Sequence, residues 1–533
     1  MAPIIRTCSA GLSLLLLTPL LGVAAAAQTV DLRDYVRARA ADAAGASSVA
    51  AQGYARALAA TPEDPVLALR AYRQALMVGD DALAGRAAAV MEKAGVAPPD
   101  AALFDMAARL AEGDTPRAAD AVKRLKGTPF DFLMPILTAW LAQAGGMDGV
   151  AVLDRLETGA LARRYAGTQR ALIRMAQGKD DTAMLDAMTA LAGDGDADMR
   201  IDLAMARGRA GAPILGGTDS AELEAVARAL DAPPPVTIRY GLARLFRALA
   251  ADLAGDRMAT LTIVLSRCAL ILDPGEARAR VQFADALAAA GAEDLALQAL
   301  AAVPKDSPFA RRAADARVSV LRDAGNIDAA LAEAKLLAED RRASPLEVER
   351  YAQLLGDAGQ YDAAARVYAD ALRRGGEGSA DLHLDRGLAL ERAGRWDQAL
   401  PELRKAAAIA PNRAEMLRTL GAAMITHGGN SAEALRLLER ARQIAPEDTE
   451  VADALGWAYV RQGEVARGAA LLEDATRGDP AGTRANEHLG DAYWQLGRQF
   501  EARYAWRAAA IHAAPADAER IARKLREGLT RAS

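Results

Sequence analysis

From Asp31 onward, apolar residues recur three and four positions apart in short runs, which predicts amphipathic helices rather than strands. Residues 451–480 show the pattern: Leu455 and Tyr459 precede Gly463, and Leu471, Leu472 and Ala475 follow it at helical spacing. A glycine placed between two such runs ends the first helix in a left-handed cap and lets the chain reverse. The same glycine returns as Gly291, Gly325, Gly359, Gly394, Gly428, Gly463 and Gly497, always 34 or 35 residues apart. Five residues after most of them stands a small residue, as in Ala296, Ala330, Ala364, Ala399, Gly468 and Ala502, with Ala434 displaced by one. A small side chain one turn into the second helix lets two backbones approach closely. Pro308, Pro411, Pro446 and Pro480 sit where that second helix ends or has just ended. The predicted unit is helix, turn, helix, break, and a fixed period of this length is the mark of stacked repeats.

The beat also runs through Gly45, Gly79 and Gly113, followed by Ala50, Ala84 and Ala118, and loosens through Gly146, Gly178 and Gly255. Residues 193–236 break it with clustered Gly and Asp, Gly216-Gly217 and Pro233-Pro234-Pro235, and hold one short helical pattern over residues 221–232. The expected organisation is divergent repeats over 28–192, an irregular joint over 193–240 with one short helix, a regular array over 241–515 and a closing helix over 516–533. Because the joint is proline-rich, it reads as a stiff elbow.

Composition narrows the reading. Apolar residues make up 52% of the 533 and aromatics only 4%, so the buried surface is mostly Ala and Leu, which suit closely packed helices. A net charge of -5 argues against general nucleic-acid binding. Arg6, an apolar run over 11–23 and small residues at Ala25 and Ala27 form a cleavable export signal over 1–27. Periplasmic or other extracytoplasmic residence is the expectation. Cys8 precedes the apolar run, so no lipid anchor is expected, and Cys268 alone cannot form an internal disulfide.

Candidate chemistry is sparse. His383, His427, His488 and His512 lie apart, with no second imidazole or cysteine at metal-ligand spacing. Asp194, Asp196 and Asp198 imitate the start of a calcium loop, but Met199 and Met205 stand where glycine and a bidentate glutamate belong. Asp397 and Glu402 read as carboxylates on a solvated helix face. No nucleophile elbow, phosphate loop or zinc-protease motif occurs, so no cofactor and no enzymatic activity are expected.

The unit Leu455-Gly456, Tyr459, Gly463, Leu472, Ala475, Pro480, and the next, Leu489-Gly490, Tyr493, Gly497, Ala502, Trp506, Ala509, resemble tetratricopeptide repeats. That resemblance implies an all-α, right-handed solenoid of stacked helical hairpins whose first helices line a concave groove for protein or peptide partners. By the same analogy Trp457 and Arg461 in one unit, and Arg484, Glu487, Asp491 and Trp494 in the next, face the groove. Gln495 falls there too, while Trp506 belongs to the core. A carboxylate clamp for a chaperone tail is disfavoured, because Ala422 follows Arg418 where asparagine belongs. Residues 454–457 and 486–494 also resemble the final repeats of long exported bacterial proteins, including an outer-membrane lipoprotein adaptor of a carboxyl-terminal processing protease. The absence of a lipobox departs from that adaptor. The expectation is an exported scaffold or adaptor in envelope assembly, secretion or proteolysis, with an envelope protease or secretion component among its candidate partners. The alternatives are an envelope-polymer hydrolase with a site in the divergent region and a structural spacer of an export machine.

Overall fold

The structure, a computed structural model, describes residues 32–155, 159–194, 197–215, 221–254, 258–429 and 431–529. The stretch 1–27 that the sequence reads as an export signal, Asp196 and Gly255 lie outside them. Among the described residues the regular structure is all helical, without strands. Helices pair as α1 (Leu32–Ala43) with α2 (Ser47–Ala60), α3 (Pro65–Val78) with α4 (Asp81–Lys93), and α5 (Pro99–Ala111) with α6 (Thr115–Lys123). Next come α7 (Met134–Ala144) with α8 (Gly149–Arg155), α9 (Ala160–Ala176) with α10 (Asp180–Asp194), then α11 (Ala197–Arg207), α12 (Ala212–Leu215) and α13 (Ala221–Ala229). Pairing resumes with α14 (Ile238–Asp252) and α15 (Ala259–Leu272), α16 (Ala277–Ala289) and α17 (Glu293–Ala301), and α18 (Ala310–Asp323) and α19 (Ile327–Glu339). The last hairpins are α20 (Pro345–Asp357) with α21 (Tyr361–Ala371), α22 (Ala380–Arg392) with α23 (Trp396–Ile409), and α24 (Ala414–Thr426) with α25 (Ser431–Ile444). They continue with α26 (Thr449–Arg461) and α27 (Val465–Gly478), then α28 (Thr483–Gln495) and α29 (Gln499–Ile511), and α30 (Pro515–Glu527) closes the series.

Local chemistry explains the hairpins. The described ruler glycines, from Gly45 to Gly497, are left-handed, with φ of 79° at Gly79 and 78° at Gly497. Carboxylates start many helices: Asp448 Oδ1 accepts from the backbone N–H of Glu450 and Val451, and Asp64 does the same for Val66 and Leu67. Within each of the four hairpins from α22/α23 to α28/α29 a glycine of the first helix faces a large side chain of the second. A methyl group on Gly387, Gly421, Gly456 or Gly490 would stand 2.6, 2.7, 2.9 or 2.4 Å from Leu403, Leu438, Leu472 or Trp506. These glycines are therefore chosen for close approach of two backbones, a different requirement from that of the turn glycines.

The chain divides into two compact units, Met1–Ala313 and Ala314–Ser533. In the first unit α3 and α5 pack on α15, and α7 and α9 pack on α14. These are all first helices of their hairpins, so the face that such repeats turn to a ligand is covered here by the chain's own α14 and α15. Trp140 on α7 is fully buried, and a Cβ on Gly241 of α14 would sit 2.0 Å from its ring. Tyr165 and Arg164 on α9 hold Asp252 of α14 at 2.5 and 2.7 Å, and Arg267 of α15 reaches Asp81 at 2.5 Å.

The stretch 193–240 departs from the expected irregular joint with one helix: it holds α11, α12 and α13 and lies inside the first unit. The glycine and aspartate content that signals a loop is outweighed by burial and charge pairing. Ile201 and Leu203 are fully buried, while Asp198 and Asp202, one turn apart on α11, meet a set of buried arginines. Arg247 binds Asp198 at 2.8 Å and Asp202 at 2.7 Å, Arg278 also binds Asp202, Arg244 binds Glu276 at 2.9 Å, and Arg312 binds Asp198 and Glu222. Burial alone would raise the Glu276 carboxyl; Arg278, Arg244 and Arg247 outweigh it and hold the group well below the usual range. Among the described residues of this stretch, Pro233-Pro234-Pro235 and their neighbours over 230–237 are non-helical.

Candidate partner-binding face

In the second unit the first helices α20, α22, α24, α26 and α28 succeed one another, and polar bridges join neighbours along them. Arg418 of α24 pairs with Glu450 of α26 at 3.0 Å, and Asp453 of α26 accepts from Arg484 of α28 at 2.7 Å. Glu487 of α28 is bound by Arg520 of α30. Asp453 is almost fully buried, and although burial pushes its carboxyl upward, His488 and Arg484 bring it below its ordinary value. The His488 ring lies on Trp457, 4.2 Å between centroids and 7° between planes, while its Nδ1 pairs with Asp453 Oδ1 at 2.7 Å.

A second bridge repeats with the hairpins. Tyr459 donates to Glu439 at 2.6 Å beneath the Arg467 guanidinium, and Tyr493 donates to Glu473 at 2.7 Å beneath Arg498. Burial, reinforced by the neighbouring carboxylate, pushes both phenols up to about 12. These bridges set the spacing between successive hairpins and leave the tyrosines no donor for a ligand.

The six residues singled out from the sequence therefore separate. Trp457 is half-buried in its stack with His488, and Arg461 is exposed with no bonded partner among the described residues. Arg484 is exposed but tied to Asp453. Glu487 and Asp491 are buried: Lys524 of α30 binds both at 2.6 Å, and Trp506 Nε1 donates to Asp491 at 2.9 Å. Trp494 is half-buried, with Gly528 against its ring and Trp506 at 5.5 Å. The helix α30 thus occupies the places of Glu487, Asp491 and Trp494, and the open part of the face runs over α20 to α26. Trp506 is in the core, fully buried.

The open part carries side chains that the sequence did not single out. Leu346 on α20 is 59% exposed, in a stripe with Glu349 and Gln353. Asp385 on α22 has its carboxyl pushed up to about 6, first by burial and then by Glu349, Asp381 and Glu415. Such a site favours the approach of a basic side chain.

Elsewhere the candidate chemistry resolves into packing. Glu402 is not on a solvated face: it is buried beside His383 Nδ1 at 2.6 Å and Arg386 at 2.8 Å, because α22 supplies both partners across the hairpin. Asp198, the third place of the calcium-like run, is bound by three arginines. Burial pushes the Cys268 thiol far up, so it is a poor nucleophile. Among the described residues no group of histidine, cysteine, aspartate and glutamate could hold a metal, and no helix is long and apolar enough to cross a membrane.

Tetratricopeptide repeat models match residues 351–414, 390–458 and 454–518. No curated protein matches the chain. A tetratricopeptide repeat protein from Parabacteroides merdae is 16% identical, covering 46% of this chain and 96% of its own, with a TM-score of 0.41. YrrB, described as having an unusual peptide-binding site, is 19% identical over 36% of this chain and 98% of its own, at 0.28. The pilus biogenesis factor PilW is 19% identical over 35% and 87%, at 0.32.

Proposed function

The chain is a tetratricopeptide repeat protein across residues 351–518, and on that premise we propose that it is an exported, non-enzymatic scaffold or adaptor. It holds a protein or peptide along the first helices of its second unit and serves envelope assembly, secretion or proteolysis. The observation that carries this reading is the contrast between the units. In the first, α14 and α15 cover the first-helix face; within the second, among the described residues, α30 and Gly528 cover part of it, at the last repeat. Leu346, Arg461 and the Asp385 carboxyl, next to Asp381 and Glu415 that Arg413 bridges, are left to meet a partner, whose segment carries apolar and basic side chains. Export rests on the leader sequence alone.

The test is affinity capture from the cell-envelope extract with wild-type chain and with the Leu346→Asp and Arg461→Glu variants, each checked for unchanged helicity. Loss of the same captured protein from both variants supports the reading. Capture that is indifferent to both, or turnover of an envelope polymer by purified chain, overturns it.

A further inference from the structure

The outer face of the last hairpin differs from that of the hairpins before it. Helix α29 exposes Phe500 by 81%, Tyr504 by 71% and Ile511 by 74%. With Arg507 these residues are spaced four, three and four apart, so they form one straight ridge on the helix. Thirty-four residues earlier the same places hold Ala466, Ala470 and Arg477, and one repeat before that they hold Ala432, Arg436 and Gln443. Those positions are exposed as well, but they present small or polar side chains to water. Large apolar side chains on a solvated ridge raise the free energy of the isolated chain and mark a surface that a partner covers. Arg507 lies within the ridge, exposed and without a bonded partner among the described residues.

We propose that this ridge is the contact between two copies of the chain, which pair α29 against α29 antiparallel about a two-fold axis. The sequence of the ridge is complementary to its own reverse. In the antiparallel register that sets Phe500 against Ile511 of the second copy, Tyr504 falls against Arg507. Both contacts then occur twice. The apolar pair buries the most exposed side chains, and the guanidinium covers the tyrosine ring, the same Arg–Tyr pairing that this chain makes internally between Arg467 and Tyr459 and between Arg498 and Tyr493. The flanking charges fit too, since Glu501 meets Ala510 and Arg503 meets Ala508, so no like charges oppose one another. An anionic lipid surface fits less well: Glu501 borders Phe500, and the whole chain carries a net charge of -5. The ridge lies on a second helix, so pairing leaves the first-helix face free and stands or falls apart from the function proposed above.

The experiment is light scattering on the purified chain at tens of micromolar, followed by crosslinking in a background with Cys8→Ala and Cys268→Ala. Twice the mass of one chain is expected, falling to one in the doubly substituted Phe500→Asp, Ile511→Asp variant with its circular dichroism unchanged. A bismaleimide should join a Phe500→Cys chain to an Ile511→Cys chain far faster than either variant to itself. A monomeric wild type, a dimer that survives the double substitution, or crosslinks between two Phe500→Cys chains as fast as the mixed ones would each overturn the proposal. So would a monomer that sediments with vesicles of anionic phospholipid through this ridge.

Discussion

Gly490 and Trp506 face each other across the last hairpin so closely that a methyl group on the glycine would lie 2.4 Å from the indole Cδ1 and Nε1. The indole is fully buried and donates to Asp491 on the same first helix, so it has no room to swing aside. Gly490→Ala should therefore destabilise the second unit by about 1–3 kcal/mol, despite alanine's better helix propensity. A thermal unfolding curve that shifts upward would show that the hairpin can open without cost.

The closing helix α30 is held by charge more than by burial. Ile521 is its one buried side chain, whereas Lys524 satisfies both Glu487 and Asp491. Burial already pushes the Asp491 carboxyl up against the pull of Lys524. Lys524→Met removes the cation and keeps the length. The expected outcome is a loss of about 1–3 kcal/mol at this end, seen as faster amide exchange through α30 while α20 to α24 are unaffected.

Asp385 makes stability depend on pH in the opposite sense from a paired carboxylate. Its folded-state value of about 6 exceeds the ordinary 3.8, so folding takes up a proton between those values. The folded state is favoured by this group below pH 3.8, and that contribution is lost as pH rises through 6. Asp385→Asn should thus raise the unfolding midpoint at pH 7, by about 1 kcal/mol once solvent screening of this half-buried group is allowed for, and leave it unchanged near pH 3.5. An equal gain at both pH values would point to packing instead of charge.

In the first unit the arginines around α11 depend on Asp202, whose carboxylate binds Arg247 and Arg278. Removing it by Asp202→Ala takes one carboxylate from two buried guanidinium groups and leaves Arg247 with Asp198 and Arg278 with Glu276 and Asp198, at a cost of about 1–3 kcal/mol. The loss should appear as a lowered transition of the first unit in calorimetry, with the Asp202→Asn variant intermediate. A wild-type profile for Asp202→Ala would mean that solvent reaches these arginines.

The hairpins were legible in the sequence because a turn glycine is a local requirement: only a residue that tolerates positive φ ends each first helix, and that requirement recurs at Gly45 as at Gly497. The core place of Trp506 comes from the resemblance to tetratricopeptide repeats, and the indole is fully buried. What escaped was decided between residues far apart in the chain. The apolar pattern of α15 says that it is buried, but nothing in it says that it is buried against α3 and α5. The glycine, aspartate and proline content of residues 193–240 signals a loop, whereas Asp198 and Asp202 are fixed by arginines at 247, 278 and 312. Family analogy put Glu487, Asp491 and Trp494 on an open face; residues 520–528 cover them, a contact visible only once α30 has folded back.

The central claim is that a partner lies on the first helices of the second unit. A photo-crosslinking amino acid placed singly at Leu346, at Arg461 and, on the outer second-helix face, at Ala466 tests it most directly in cells that make the protein. The account predicts that positions 346 and 461 trap the same partner and that 466 traps none. Trapping of that partner at 466, with 346 and 461 silent, would contradict it.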